Sequence, residues 1–390
     1  MVKKSAPRIK KTSLKTRKKK IADPVRLPEP RPDLLEQSIA AVSPREQLGK
    51  RFETNLKNPK ISVIMVNRNG MDLLRHSLFA LQTQSYPWDE IILVDNGSND
   101  ESVAFVRSEY PLIRIMESGE DLGYTMAVNL ASKCAQGDLV AVLGNNMIPT
   151  PDWLSHLVAE FQTHWPKAGV ISSLKPALHG EVNFLGSTVE SDSGNEKFIF
   201  SPESSAFIYS RHLNLEGPFD PDYGKGEEGV YFGWRTRLSG KQVVVDTNAK
   251  VFQKEGSVYD LAPPWKKIYL QNRNRWMNLL IFYSDSRLIL IFPWVVMDFG
   301  VRFLKGLTTS LSGLLGVLCA VVWIFFHLFP IYAKRKSIQG KRKISDDEIT
   351  KYMTGKIVDD RSALAPFLNS LSLAYCGWVG LKVRETANKV

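Results

Sequence analysis

Ile61-Ser62-Val63-Ile64-Met65-Val66 is a short apolar run, rich in β-branched residues, that stops at Asn67-Arg68-Asn69-Gly70. A run of this length bounded by turn residues reads as a strand buried on both faces. Leu73, Leu74, Leu78 and Leu81 follow at helical spacing. The unit then repeats. Ile91-Ile92-Leu93-Val94 is stopped by Asp95-Asn96-Gly97-Ser98-Asn99-Asp100, with a helix from Glu101; residues 112–116 precede Gly123 and a helical stretch to Ala135. A fourth run, Leu139-Val140-Ala141-Val142-Leu143, ends at Gly144-Asn145-Asn146. Apolar strands alternating with helices predict an α/β fold around a mostly parallel sheet covered on both faces. Ligands of such sheets sit at the carboxyl ends of the strands, which is where the Asn, Asp and Gly clusters stand. Residues 170–257 are more irregular, with a helix predicted over 230–238 and a strand over 242–246.

Outward from this core the composition changes. Ten of the first twenty residues are Lys or Arg and none is acidic; removing those ten from the formal net charge of +11 leaves a body at +1. The basic excess is thus local, and the body gives no evidence of a nucleic-acid-binding face; the tail reads as a solvated segment or, alternatively, as an electrostatic contact for phosphates or anionic lipid. Residues 1–55 read as a flexible leader, basic and then Pro-rich, with a short helix over 34–42. Pro24, Pro28, Pro30 and Pro32 occupy the place of a signal peptide's apolar segment. Cys134, Cys319 and Cys376 are too few and too scattered for a disulfide framework or a zinc site. Residues 306–333 carry no Asp, Glu, Lys or Arg; as one helix they would reach roughly 42 Å, enough to cross a bilayer. Asp298, Arg302 and Lys305 form a charged stripe that predicts an interfacial helix or one leg of a hairpin over 286–304. Lys334, Arg335, Lys336, Lys341, Arg342 and Lys343 follow, which places that end in the cytoplasm. The expected organisation is a leader (1–55), an α/β domain (56–275), a membrane-associated helical region (276–343) and an amphipathic tail (344–390).

The order of motifs resembles the family 2 glycosyltransferases, and most of all their rhamnosyltransferase-type members. Four segments carry the resemblance: Val63 to Gly70, Val94 to Ser102, Asp121-Leu122-Gly123-Tyr124 with Asn129 beyond it, and Pro151-Asp152-Trp153-Leu154. The resemblance covers about residues 60–275. It implies a GT-A fold and an inverting, membrane-associated enzyme on the cytoplasmic face. Such an enzyme moves a sugar from a nucleotide-diphosphate-sugar donor to a glycan or lipid-linked acceptor in surface polysaccharide assembly. It also implies a nucleotide site at Asn67, Arg68, Asn69, Asp95, Asn96, Gly123 and Asn129. Asp95 can accept from the imide N–H of a uracil or thymine base, and Gly123 allows close backbone approach to the donor.

The chain departs from the family where the chemistry is hardest. The family's metal-binding acidic motif is replaced by Gly144-Asn145-Asn146-Met147, so Mg²⁺ or Mn²⁺ would rest on Asn146, whose amide carries no charge. Aligned on Arg235 and Gly240, the base position falls on Gly229, with Tyr231 in place of a further Asp. Glu227 and Glu228 stand as the candidate catalytic carboxylates. Gln253 replaces a downstream His, leaving Lys254 to neutralise phosphate. Asn272-Arg273-Asn274-Arg275-Trp276 offers Arg273 and Arg275 as phosphate or acceptor contacts. Either a neighbouring glutamate carries the reaction, or the chain is a catalytically impaired relative kept to bind nucleotide sugar or to scaffold. If the ancestral machinery is otherwise intact, Asn146→Asp with Gly229→Asp should restore turnover.

Overall fold

Strand β1 (Ile61–Asn67) sends alternate side chains to opposite faces, as the two-residue period of an extended chain requires. Ile61, Val63 and Met65 enter one buried cluster with Leu74, Leu78 and Trp153. Ile64 and Val66 enter another with Ala127, Val128 and Ala131. This computed structural model describes residues 56–174, 180–190, 197–213, 217–256, 262–309, 311–358 and 365–387. The basic leader and the helix expected over 34–42 lie outside the described residues.

Strands β2 (Glu90–Asp95), β3 (Arg114–Glu117) and β4 (Leu139–Leu143) join β1 in parallel pairing. They are connected through helices α1 (Met71–Gln82), α2 (Ser102–Glu109) and α3 (Tyr124–Cys134). After β5 (Met147–Pro149) and α4 (Trp153–His164) come β6 (Ala168–Leu174), β7 (Gly180–Val182), β8 (Thr188–Glu190) and β9 (Ala206–Ser210). Helix α5 (Glu228–Leu238) and β10 (Gln242–Gln253) complete the domain. The main sheet has the order β3-β2-β1-β4-β9-β6-β10-β5. Strand β9 runs antiparallel to β4 and β6, and β5 antiparallel to β10, so the sheet is mixed and mostly parallel. The strand predicted over 242–246 runs on to Gln253 because β10 pairs first with β6 and then, past an irregularity, with β5.

The expected boundary at residue 275 falls inside helix α6 (Pro264–Phe282). One buried cluster joins Phe184, Trp234, Trp276, Trp294, Val317, Met353 and Val383, so the core does not divide there. The segment after 343, expected as an amphipathic tail, packs against the domain. Thr354 donates to the Val182 carbonyl at 3.0 Å, and Arg384 pairs with Glu181. The buried Arg237 guanidinium lies 3.5 Å over the Tyr352 ring; burial lowers its pKa to about 10.

The charge-free run also differs from expectation. It is divided among α7 (Asp285–Thr309), α8 (Leu311–Phe326) and α9 (Leu328–Gln339). Among the described residues no single helix is long and apolar enough to cross a membrane; α8 and α9 qualify only as a pair, bent by 71°. The break at His327 has a cause in Pro330, which lacks the N–H that would bond back to Phe326 and whose ring crowds that carbonyl. On α8, Gly313, Gly316, Val317 and Ala320 face inward. A Cβ on Gly316 would stand 2.7 Å from the Trp265 carbonyl oxygen, so only glycine permits this approach of α8 to α6. The opposite face exposes Leu311, Leu315, Leu318, Val322 and Phe325. Two members of the expected stripe on α7 are engaged within the protein: Asp298 with Arg275 of α6, and Arg302, part exposed, with Asp298 and Ser187; the side chain of Lys305 lies outside the described residues.

Candidate functional site

Asn67 and Asp95 end adjacent parallel strands and are direct neighbours in register. The Asn96 N–H donates to the Asn67 carbonyl at 2.8 Å, tying the two loops together. Asp95 is buried, at 5% exposure. Its Oδ2 accepts from the Ser98 N–H at 3.2 Å, while its Oδ1 is buried with no partner. A buried carboxylate oxygen without a donor costs about 1–3 kcal/mol.

The surrounding residues build the wall of this site. Asn67 accepts at Oδ1 from Asn145 Nδ2 at 2.8 Å. Asn69 takes a left-handed conformation (φ 48°); its Oδ1 accepts from the Asn99 N–H at 2.7 Å, and its own N–H donates to Ser98 Oγ at 3.0 Å. Asn96 accepts from the Leu122 N–H at 2.9 Å and donates to Asp121 Oδ1 at 2.8 Å. Asp121 also accepts from the Gly123 N–H and pairs with Arg68. Gly123 has φ 78°, and a Cβ there would reach 3.4 Å from Gly224 Cα. Ser98, Asp121 and Asn145 are thus part of the site although the sequence reading did not single them out. Asp121 stood within a quoted motif, and its three interactions are the signal that motif carried.

Three expected binding residues are engaged elsewhere. Asn129 donates to the Phe219 carbonyl at 2.7 Å and accepts from the Phe219 N–H at 3.0 Å, so its amide braces the 217–224 loop. Arg273 donates to the carbonyls of Asp222 and Tyr223 at 2.7 and 3.0 Å. Arg275 pairs with Asp298 and donates to Ser187 Oγ at 2.7 Å. Neither guanidinium is free to clamp a phosphate, because the peptide carbonyls and the carboxylate they serve are themselves buried or partly buried.

The acid pair lies at the start of α5. Glu227 has φ 61°, a conformation L-residues seldom take and one often found at functional sites. The residue is partly buried, but its Oε2 is sealed and has no partner. Burial raises its pKa to about 7, opposed by Arg275 and reinforced by Glu228. Glu228 is 3% exposed. Burial raises the Tyr124 hydroxyl well above its ordinary value, and the charges of Glu228 and Glu203 add to the effect; Tyr124 itself donates to the Ser204 carbonyl at 2.8 Å. Since Tyr124 follows Gly123 directly, the acid pair and the nucleotide-side loop share one region.

Residues 62–201 match the family model described as glycosyl transferase family 2. That stretch is a family 2 glycosyltransferase domain. Protein CgeD of Bacillus subtilis (strain 168) is 26% identical over 195 residues, 45% of this chain and 45% of that protein. An uncharacterized glycosyltransferase of Haemophilus influenzae is 24% identical over 132 residues, 33% of this chain and 41% of that protein. The chain therefore spans less than half the length of these curated relatives. Among solved structures, S. aureus TarS 1-349 in complex with UDP-GlcNAc is 16% identical over 81% of this chain and 88% of that one, with a TM-score of 0.48. GalNAc-T7 with UDP, GalNAc and Mn²⁺ is 14% identical over 59% and 49%, with a TM-score of 0.49.

The position that corresponds to the family's metal motif does not fit a divalent cation. Asn146 donates its amide to the Lys254 carbonyl at 3.1 Å, and the Lys254 N–H returns a bond to the Asn146 carbonyl at 2.8 Å. No group of three His, Cys, Asp or Glu side chains suited to a metal occurs among the described residues. Hard cations favour carboxylate oxygens, and Asn146 offers only an uncharged amide. Gly229 is also not a vacant base position. A Cβ added there would lie 2.8 Å from the Pro202 carbonyl oxygen and 3.4 Å from Ser204 Cβ, so it points into packed backbone.

Proposed function

We propose that this family 2 glycosyltransferase binds a nucleoside-diphosphate sugar at the carboxyl ends of β1 and β2 and transfers the sugar, with inversion, to a glycan or lipid-linked acceptor. The observation that carries the reading is the unpartnered, buried Asp95 Oδ1, the acceptor an imide N–H of uracil or thymine requires. Glu227 serves as the base: a carboxylate poised near neutrality takes a proton from the acceptor hydroxyl as the anomeric carbon is attacked from the face opposite the leaving diphosphate. Lys254, held beside Asn146 by one backbone bond and one from the Asn146 side-chain amide, supplies positive charge to the leaving group. A second reading, a nucleotide-sugar-binding subunit with little turnover, is favoured by the absence of a carboxylate at 146 and 229. Calorimetry with UDP, followed by turnover assays over a panel of nucleotide sugars, separates the two. Asp95→Asn is expected to weaken UDP binding about 5- to 150-fold, the equivalent of ~1–3 kcal/mol. Unchanged affinity would remove the nucleotide site from this cleft.

The proposed setting is the cytoplasmic face of a membrane, in assembly of a surface polysaccharide. What supports it is the outward apolar row on α8, continued by Phe326, Phe329 and Tyr332, together with Trp378, all exposed. Soluble monomers rarely expose a patch of this kind, and the bend between α8 and α9 suits a shallow wedge in one leaflet. In vesicle flotation with anionic lipid, Phe325→Asp with Phe329→Asp should reduce the bound fraction at least about tenfold, since burying each phenyl ring contributes about 1.5–3 kcal/mol. Equal flotation of the double variant would refute the wedge.

A further inference from the structure

Arg275 lies on α6 with its side chain 4% exposed. Its two terminal nitrogens are engaged by Asp298 and by Ser187 Oγ, and its Nε is buried without a partner. Asp298 also accepts from Arg302 Nε, at 3.1 Å on one oxygen and 2.9 Å on the other, and Arg302 donates to the same Ser187 hydroxyl at 3.2 Å. Two guanidinium groups therefore converge on one carboxylate and one hydroxyl. Asn274, the neighbour of Arg275 on α6, donates to the Gly226 carbonyl at 2.6 Å and so holds the chain just before Glu227 against that helix; Glu227 Oε2 is buried with no partner, and neither arginine forms an ion pair with it. In a buried place a free carboxylate and a guanidinium would ordinarily pair; here Asp298 has taken the arginines.

We propose that Asp298 is a positioning residue for Glu227: by engaging Arg275 and Arg302 it denies that carboxylate an ion-pair partner and keeps it available to a ligand hydroxyl. The inference rests on the reading of Glu227 as the base. It gives α7, which lies outside the matched family segment, a part in the chemistry. The charged and titratable groups facing Glu227 are Arg275 from α6, Arg302 from α7, Glu228 from its own helix and Tyr223 from the turn at 221–223. Removing the negative charge of Asp298 should free the guanidinium charge and make Glu227 more acidic. Removing the positive charge of Arg302 should make it less acidic. The two variants have opposite signs, whereas a mere loosening of the packing would admit water and make Glu227 more acidic in both.

The test is a carbon-13 titration of the full chain labelled at the glutamate carboxyl carbon, with the Glu227 signal identified by its loss in Glu227→Gln. The native midpoint is expected at about 7. Asp298→Asn should lower it by about one pH unit or more, Arg302→Gln should raise it, and Asp298→Glu should restore the native value. Arg302 has a side chain 37% exposed, so its variant tests the idea even if Asp298→Asn does not fold. A midpoint that stays still in both variants, or falls in both, overturns the proposal. Full transfer activity in Glu227→Gln would instead overturn the base reading, and it leaves the titration result standing.

Discussion

Replacing Glu227 by glutamine is expected to lower sugar transfer by roughly 10²–10⁴-fold, the usual contribution of a positioned general base. UDP affinity should change little, because Asn67 and Asp95 end β1 and β2 whereas Glu227 stands at the start of α5. The pH dependence carries a sign. A base works only when deprotonated, so activity should rise with pH through about 7, the raised value that burial gives this carboxyl. That limb should vanish in the variant. Glu228→Gln should have the smaller effect, because its removal takes a negative neighbour from Glu227 and moves the limb to lower pH. Rates of the two glutamine variants in the reverse order would assign the base to Glu228.

Installing aspartate at position 229 should damage the protein rather than revive it. The new Cβ would meet the Pro202 carbonyl oxygen at 2.8 Å, a backbone atom that cannot swing aside. Overpacking of this kind costs about 1–3 kcal/mol, before the carboxylate's own desolvation is counted. The midpoint of urea unfolding should fall accordingly, with no gain in transfer. Asn146→Asp brings a different fault, since a carboxylate oxygen would replace the amide that donates to the Lys254 carbonyl. A stable double variant with raised turnover would show that α5 can rotate its first turn, and that the sequence alignment was the better guide.

The contrast between those two positions shows what a linear reading captures. The strands, their order of appearance and the placing of Asn67, Asn69, Asp95 and Asn96 were legible because each depends on a few adjacent residues with a two-residue period and a turn. The antiparallel insertion of β9 between β4 and β6 was not, since pairing partners are set by packing across more than sixty residues of sequence. The direction of Gly229 depends on the left-handed turn at Glu227, which rotates the start of α5, and nothing in Gly-Glu-Glu-Gly announces that φ. Asn129 looked like a binding residue because an amide that braces a loop and one that holds a ligand are the same letter. The stripe of Asp298 and Arg302 resembled an interfacial face because its partner, Arg275, stands on a separate helix. The charge-free run looked like a single span because hydropathy counts residues and takes no account of where Pro330 removes a hydrogen bond.

The ion pair between Arg384 and Glu181 closes a separation of 203 residues. On a ribosome adding about 5–20 residues per second, Glu181 waits roughly ten to forty seconds for its partner. During that interval Phe184, Trp234 and Phe282 belong to a cluster that still lacks Met353, Cys376 and Val383. The apolar helices between them emerge before their inner faces are fully covered. A nascent chain in that state has hydrophobic surface to offer a chaperone until the contact across 203 residues closes. Order of synthesis thus leaves the inner faces of these helices waiting on a segment far along the chain.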